Sequence, residues 1–382
     1  MQITHWQMEP HEETTEVSAE VDGFRLWYRV PKSYAVCQTA DPFLAAALLP
    51  AMLRGEPLEI DPGLPVSPRL LAHVATLQEI HHCWNPIFQK IPISARTCPA
   101  EPLNEGTLSF FSGGVDSTYT FLKRAGEITQ AVFLHGFDFY VDAHTYEVAM
   151  ARNTAFVSSF GKTLIPIQMN HHPFGYRYNL SRNLTQGSAL ASVALLLGFP
   201  RVYVPSSYSY DQLIPLGSHP LTDPLWSSDS VTIIHDGAET RRVDKVKAIA
   251  GSAAALANLR VCFDDMNANC GRCVKCVRTM IPLRLLQAQG PFPPLPSLSV
   301  IGKLHVDPID RIFLAENVAL AQQSQDRALR KALLSCLHRC ERRVLLKEVD
   351  RVFWGGFLRR LYRRHQIARL GPPRINATPE GA

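Results

Sequence analysis

LSFFSGGVDSTYTFLKR, Leu108 to Arg124, is the stretch whose reading decides the fold. Its first four residues read as a short buried strand, and Thr118 to Arg124 read as an amphipathic helix. Ser112 to Ser117 is therefore the turn between them. Two successive glycines, Gly113 and Gly114, let the backbone take positive φ and bring N–H groups close to a ligand. Together with the Ser112 and Ser117 hydroxyls and the helix N-terminus, the turn forms a cradle for an anion. Asp116, just inside the helix, caps it well, and beside phosphates it would help to hold Mg2+. The chain has no Gly-x-x-x-x-Gly-Lys-Ser/Thr and no Gly-x-Gly-x-x-Gly after its strands, so the usual NTPase and dinucleotide-binding readings fail.

Outward from this turn, strand-like runs alternate with helical ones. TLSFF, AVFLHGF, TLIPIQMN, RVYVPSS and VTIIH are short and β-rich, and they are separated by helical stretches that include His144 to Phe160 and QGSALASVALLLG. Such alternation implies a parallel sheet covered by helices on both faces, with ligands at the carboxyl ends of the strands. Residues 106–290 form this α/β domain. Residues 1–105 read as a small N-terminal α+β domain, with DGFRLWYRVP and EPLEID as strands and FLAAALLPAML and the run from SPRLLAHV as helices. A proline-rich joint, GPFPPLPSLS, precedes a helical extension over 300–372, and 373–382 reads as a disordered tail. There is no internal repeat and no low-complexity tract.

Cys262, Cys270, Cys273 and Cys276 have the spacing C-x7-C-x2-C-x2-C. Four thiolates can close a tetrahedron around Zn2+, and two-residue gaps with a glycine form the tight turn that aims neighbouring sulfurs at one ion. An iron–sulfur cluster or unliganded redox thiols are the alternatives; the Cys-Pro that usually completes an iron–sulfur run is missing. Between strand and cluster, Ser206 to Ser230 is a long polar and aromatic segment of the kind that forms lids and binding loops, with Ser218, His219 and Asp223 as candidate substrate contacts. An ordinary surface loop is the plainer reading. Downstream, Arg242 and Lys245 open a helix. Cations there oppose the helix dipole, which phosphate or carboxylate neutralisation would justify.

Ser112-Gly113-Gly114-Val115-Asp116-Ser117 resembles the pyrophosphate loop of the N-type ATP pyrophosphatases, which cleave ATP between the α- and β-phosphates and adenylate a substrate oxygen. Loop and cysteine cluster together are similar to the 7-cyano-7-deazaguanine synthase family, over residues 106 to about 282. The resemblance implies a five-stranded, adenine nucleotide alpha hydrolase-like sheet with ATP, Mg2+ and Zn2+ as cofactors. It implies that loop N–H groups grip the leaving pyrophosphate and that the end of the second strand, His135-Gly136-Phe137 with the following Asp138 and Phe139, flanks the adenine. Phe137 would stack on a base or simply pack in the core. In this scheme Asp116 positions Mg2+, and Arg242 or Lys245 stabilises the charge developing at phosphorus. The departures are the N-terminal domain and the basic helical end, which the family enzyme lacks.

The chain of 382 residues is 46% hydrophobic and carries +5 net, with nine cysteines. No signal peptide begins it, and its apolar runs are too short to cross a membrane, so a reducing cytoplasm is expected. Ser324 to Arg374 carries 14 Lys and Arg against 4 Asp and Glu, leaving the rest acidic. Arg339, Arg342, Arg343, Arg359, Arg360, Arg363 and Arg364 could contact nucleic acid or an acidic partner, or form a solvated face. Cys336 and Cys340, one helical turn apart, suggest packing rather than a metal.

The leading function is an AMP-forming C–N ligase that adenylates a small-molecule or protein carboxylate and passes it to ammonia or another amine; a homodimer is compatible with this. Gln2 follows Met1, so no N-terminal cysteine glutaminase is expected. The competing readings are a tRNA sulfurtransferase, which needs a reactive thiol and has Cys98 as its nearest candidate in sequence, and a non-catalytic ATP-binding partner protein.

Overall fold

The computed structural model describes residues 1–137, 143–262, 264–265 and 267–354. Asp138, Phe139, Arg359, Arg360, Arg363, Arg364 and the 373–382 tail lie outside the described residues. The chain forms two compact units. The first contains Met1–Ser112 and Asp116–Glu239; the second contains Gly113–Val115 and the described residues from Thr240 onward.

In the first unit, β6 (Thr107–Phe110), β7 (Gln130–His135), β8 (Thr163–Met169), β9 (Arg201–Pro205) and β10 (Thr232–Asp236) are the five anticipated strands, and they pair in parallel in the order β10-β9-β6-β7-β8. Helices α3 (Val115–Lys123), α4 (Ala143–Ser158) and α6 (Arg182–Leu197) make the crossovers, and a short α5 (His171–Arg177) precedes α6. The chain steps outward from β6 to β8, then returns to lay β9 against the other side of β6. A right-handed crossover must therefore change face, which puts α6 opposite α3 and α4. Phe111, Phe121, Phe156 and Phe160 close the α3–α4 face, with ring centroids 5.1 to 5.5 Å apart.

The sheet has ten strands rather than the five the resemblance implies. β1 (Gln2–Pro10), β2 (Thr14–Val21) and β3 (Phe24–Pro31) form an antiparallel meander, and β3 pairs antiparallel with β8 through Tyr28–Met169 and Arg29–Gln168. β4 (Leu58–Ile60) and β5 (Ile93–Ser94) then add in parallel beyond β1. The physical reason is the outer edge of β8, whose unpaired N–H and C=O groups β3 satisfies. Asn170, just past β8, reinforces the joint: its Oδ1 accepts from Trp27 N and its Nδ2 donates to Arg25 O, both at 2.8 Å. Asp22 and Gly23, at φ 51° and 69°, make the two-residue turn that the twist of β2 and β3 prefers. Helix α1 (Asp41–Arg54) is apolar nearly all round, as FLAAALLPAML requires, and is buried against α6. α2 (Pro68–Trp84) is capped by Ser67, whose hydroxyl accepts from Leu70 N at 3.2 Å.

The second unit is helical: α7 (Arg242–Ala250), α8 (Ala253–Asn258), α9 (Val274–Leu285), α10 (Leu298–Ile301), α11 (Arg311–Gln323) and α12 (Arg327–Trp354). Leu329, Leu333, Cys336, Leu337 and Cys340 form the buried stripe of α12 and pack with Val277, Ile281 and Leu314. Cys336 and Cys340 thus belong to helix packing. Among the described residues no helix is long and apolar enough to cross a membrane.

Candidate functional site

β6 sits at the reversal of strand order, flanked by β7 and β9, so the crevice outside its carboxyl end is the switch point where open α/β sheets bind ligands. SGGVDS occupies that position. Phe111 N still donates to Val132 O at 2.8 Å, and Gly113 then turns at φ 74°. A side chain there would be strained, which is why glycine is needed. The Ser117 hydroxyl accepts from Ser112 N at 3.1 Å and lies 3.2 Å from the Ser112 hydroxyl, closing the turn onto the first turn of α3. Val115 begins α3, and Asp116 is the acidic residue of its first turn, where it complements the helix dipole. Gly114 completes the pair of small residues between strand and helix.

At the neighbouring strand end, His135 closes β7 and Gly136 turns at φ 85°. Phe137 packs on the main core. The flat surface here is supplied by a residue sequence reasoning missed. Tyr146 of α4 stacks on His135, centroids 4.3 Å apart at 22°, and on Phe133 at 5.7 Å and 12°. Burial pushes the Tyr146 phenol up to about 12. Gly136 O accepts from His172 N at 3.3 Å, which ties α5 to the same corner. Lys123 and Arg124, at the end of α3, both reach Asp236 of β10, at 3.1 and 2.9 Å, and anchor the loop-bearing helix to the sheet.

Ser218, His219 and Asp223 lie in a segment that mixes buried and half-buried residues, and their polar groups bond within it and to β10. Asp223 Oδ2 accepts from the Ser218 hydroxyl and pairs with His235 Nδ1, both at 2.7 Å, while Asp223 Oδ1 accepts from His219 N at 3.3 Å. His219 Nδ1 accepts from Leu221 N at 3.0 Å, and its ring meets Trp84 of α2 edge-on at 5.1 Å. Burial, with His235 nearby, lowers the His219 pKa. Ser67 and Arg69 hold the far end through Asp229 and Ser228 O, at 2.6 and 3.2 Å. Gly187 of α6 and Gly217 meet backbone to backbone: a Cβ on Gly217 would lie 1.9 Å from Leu184 O.

In the second unit Arg242 is 8% exposed and Lys245 1%. Both cations are therefore interior groups on the first turns of α7. The four cysteines converge as their spacing implied, with all sulfurs within 4.8 Å of one another. Cys262–Cys273 and Cys270–Cys276 are each 3.9 Å apart. Sulfurs about 2.3 Å from a tetrahedral zinc lie about 3.8 Å from each other, so the knot has the dimensions of a closed metal site. Gly271, at φ 69°, makes the turn, and Cys273 N and Cys276 N donate to Cys270 and Cys273 sulfurs at 3.3 and 3.4 Å. Hydrogen bonds led by the one from Cys276 hold the Cys273 thiol down at about 5. Asn269 braces the knot: its Oδ1 accepts from Val261 N, and its Nδ2 donates to Leu259 O and Pro291 O, each at 2.9 Å. Arg260 N, two residues before Cys262, donates to Gly113 O at 2.9 Å, so the segment leading into the knot hydrogen-bonds the glycine turn.

Glu9, His11 and Glu16 also converge, but Glu16 is already neutralised by Arg25 and Arg29 at 2.8 and 2.7 Å. On α12, Arg342 is exposed, whereas Arg343 donates to Val306 O at 2.7 Å. Cys83 and Cys98 are exposed thiols. Compared with known proteins, the chain matches no family model, no curated protein and no solved structure.

Proposed function

We propose that this protein is an ATP-dependent, AMP-forming ligase of the pyrophosphate-loop type, with an adenine nucleotide alpha hydrolase-like parallel half-sheet. The observation that carries the reading is the SGGVDS turn: a glycine at positive φ and two paired serines between β6 and α3, at the strand-order switch point. N–H groups of the turn and the start of α3 bind the β- and γ-phosphates, and Asp116 would help to hold Mg2+, which would supply charge neutralisation for the leaving pyrophosphate. Arg242 or Lys245 is the cation this reading assigns to the charge developing at phosphorus as the substrate carboxylate attacks the α-phosphate. His135, Gly136 and Tyr146 offer the flat wall for adenine, while Ser218, His219 and Asp223 frame the substrate side. Ammonia or another amine then attacks the acyl-adenylate, forming the C–N bond and expelling AMP. Zinc in the four-cysteine knot is structural, since all four ligand positions are protein sulfurs.

The deciding experiment is product analysis with carboxylates and amines supplied. AMP and pyrophosphate are expected; ADP with orthophosphate as sole products would end this reading. Asp116→Ala should lower AMP formation at least 100-fold, several kcal/mol of lost charge stabilisation. Sulfur transfer to tRNA stays as a second reading because Cys98 is an exposed thiol able to act as a nucleophile.

A further inference from the structure

β10 ends in His235 and Asp236, and successive side chains of a strand point to opposite faces. Asp236 is taken by Lys123 and Arg124 of α3, so His235 faces the other side of the sheet. There it meets a single helical turn, Asp223–Trp226, which packs on β10. Asp223 Oδ2 lies 2.7 Å from His235 Nδ1, and the two side chains are 2% and 4% exposed. A carboxylate at that distance keeps the proton of a neutral imidazole on Nδ1 and leaves Nε2 as a bare acceptor. Asp223 is itself steadied, since it accepts from the Ser218 hydroxyl at 2.7 Å and from His219 N at 3.3 Å. His235 Nε2 is buried and has no hydrogen-bond partner among the described residues, and the same holds for Nε1 of Trp226. The turn and the strand beneath it thus leave one donor and one acceptor unpaired, where bulk water does not reach them. Buried polar groups are nearly always paired, so these two exceptions mark a place for a ligand. Their position agrees: His235 stands at the carboxyl end of β10, and β10 lies two strands, about 10 Å, from β6 in the same parallel half-sheet.

We propose that His235 is the general base for the amine and that Asp223 is its positioning residue. The proposal rests on the ligase reading given above and concerns the step that follows adenylation. In neutral solution an amine arrives mostly protonated, with no free electron pair. Nε2 takes one proton and frees that pair, and Asp223 stabilises the resulting imidazolium. The nitrogen then bonds to the acyl carbon, the bond from that carbon to the AMP oxygen breaks, and AMP leaves with its electrons. The acylated nitrogen and His235 each release their extra proton to water.

The test compares the amine step with adenylation in the full-length, metal-loaded protein, using the carboxylate that gives most AMP in the wild type. ATP–pyrophosphate exchange reads adenylation, and AMP release with ammonium chloride reads the amine step. His235→Gln keeps a donor for Asp223 but cannot take a proton, so the ratio of AMP release to exchange should fall about 100-fold. Asp223→Asn should lower it nearly as far, because the amide no longer fixes the tautomer, and the double variant should lose nothing further. Hydroxylamine, which is unprotonated in neutral solution, should bring both single variants back to within about tenfold of the wild-type ratio. A wild-type ratio in His235→Gln, or equal losses with ammonium and hydroxylamine, would overturn the proposal and leave the ligase reading standing. The pair would then be a staple between the turn and β10. A wild type that neither exchanges pyrophosphate nor releases AMP would instead end the ligase reading, and this proposal with it. Should the variants not fold, nitrogen NMR of the histidine-labelled wild type decides: His235 should carry its proton on Nδ1, and a proton on Nε2 alone would overturn the proposal.

Discussion

The SGGVDS turn and the 206–230 segment are both polar, and both follow a strand of the same parallel half-sheet, yet they are built by opposite means. The turn is six residues shaped by backbone: Gly113 takes a φ of 74°, and Ser112 and Ser117 close on each other. The longer segment is shaped by side chains. Asp223 alone receives Ser218, His219 N and His235, and Thr222, Asp223, Trp226, Ser227 and Ser228 are buried. Polar composition therefore separates these two regions poorly. What separates them is where the hydrogen bonds go: the longer segment spreads its bonds over many side chains, whereas the glycine turn closes on itself through Ser112 and Ser117 at the strand-order switch point.

The largest expected effect tests how the turn is supported. Stripping metal from the knot, or replacing Cys273 by Ser, should cost the second unit on the order of 10 kcal/mol, because binding energy at such sites is folding energy. It should also abolish AMP formation, since Arg260 next to the knot holds Gly113 O. Elemental analysis and thermal melts check this. A stable, metal-free wild-type protein, or iron with sulfide in place of zinc, would refute it.

Gly217→Ala is the corresponding challenge to the longer segment. With a Cβ only 1.9 Å from Leu184 O, the loop and α6 must separate, and a loss of at least ~3 kcal/mol is expected in chemical denaturation. A loss under about 1 kcal/mol would mean that the two backbones are not in contact.

Acid should weaken the packing next to that segment. His81, which meets Trp84 edge-on, and His171 are both lowered to about 4, His81 by burial and His171 by burial and the nearby His172. The unfolded chain binds protons at about 6.5 that the folded chain refuses, so their contribution is complete above 6.5 and is lost as pH falls toward 4. Each is worth about 3 kcal/mol. Asp41, raised to about 6 by burial, acts in the opposite sense between about 4 and 6 and offsets about 3 kcal/mol. A net loss on the order of 3 kcal/mol between pH 7 and 4 is expected in denaturant melts, and His171→Leu should flatten the profile. A wild-type stability unchanged over that range would contradict the burial of these rings.

The smallest effect separates the two chemistries proposed for the turn. Cys98→Ser and Cys83→Ser should leave AMP formation within about threefold, because exposed thiols contribute little unless one is a nucleophile. Loss of activity in a folded, metal-loaded Cys98→Ser protein would favour sulfur transfer.

The local features were legible because their causes are local. Five β-rich runs bounded by glycine, proline or helices became β6 to β10. The C-x2-C-x2-C spacing, with Gly271 free to take positive φ, brought the sulfurs together. The apolar run of α1 became a buried helix, and Cys336 and Cys340 fell on a packing stripe. Strands β1 and β2 escaped because neither alternates: β1 buries only Ile3, and β2 buries Glu16 to Ala19 in one run, polar residues included; the Asp22-Gly23 turn was the available clue.

Sequence by itself thus determined the glycine turn, the cysteine knot and the βα alternation, each set by steric and spacing rules that act within about a dozen residues. Tertiary structure decided the rest. It joined β3 to β8 across some 140 residues, turned Ser218 and Asp223 inward, set Tyr146 on His135, and brought Phe313 of α11 against Arg242. Those outcomes depend on which edges and which buried charges most need partners. That need is created by the fold, when water is removed from groups that the chain leaves far apart.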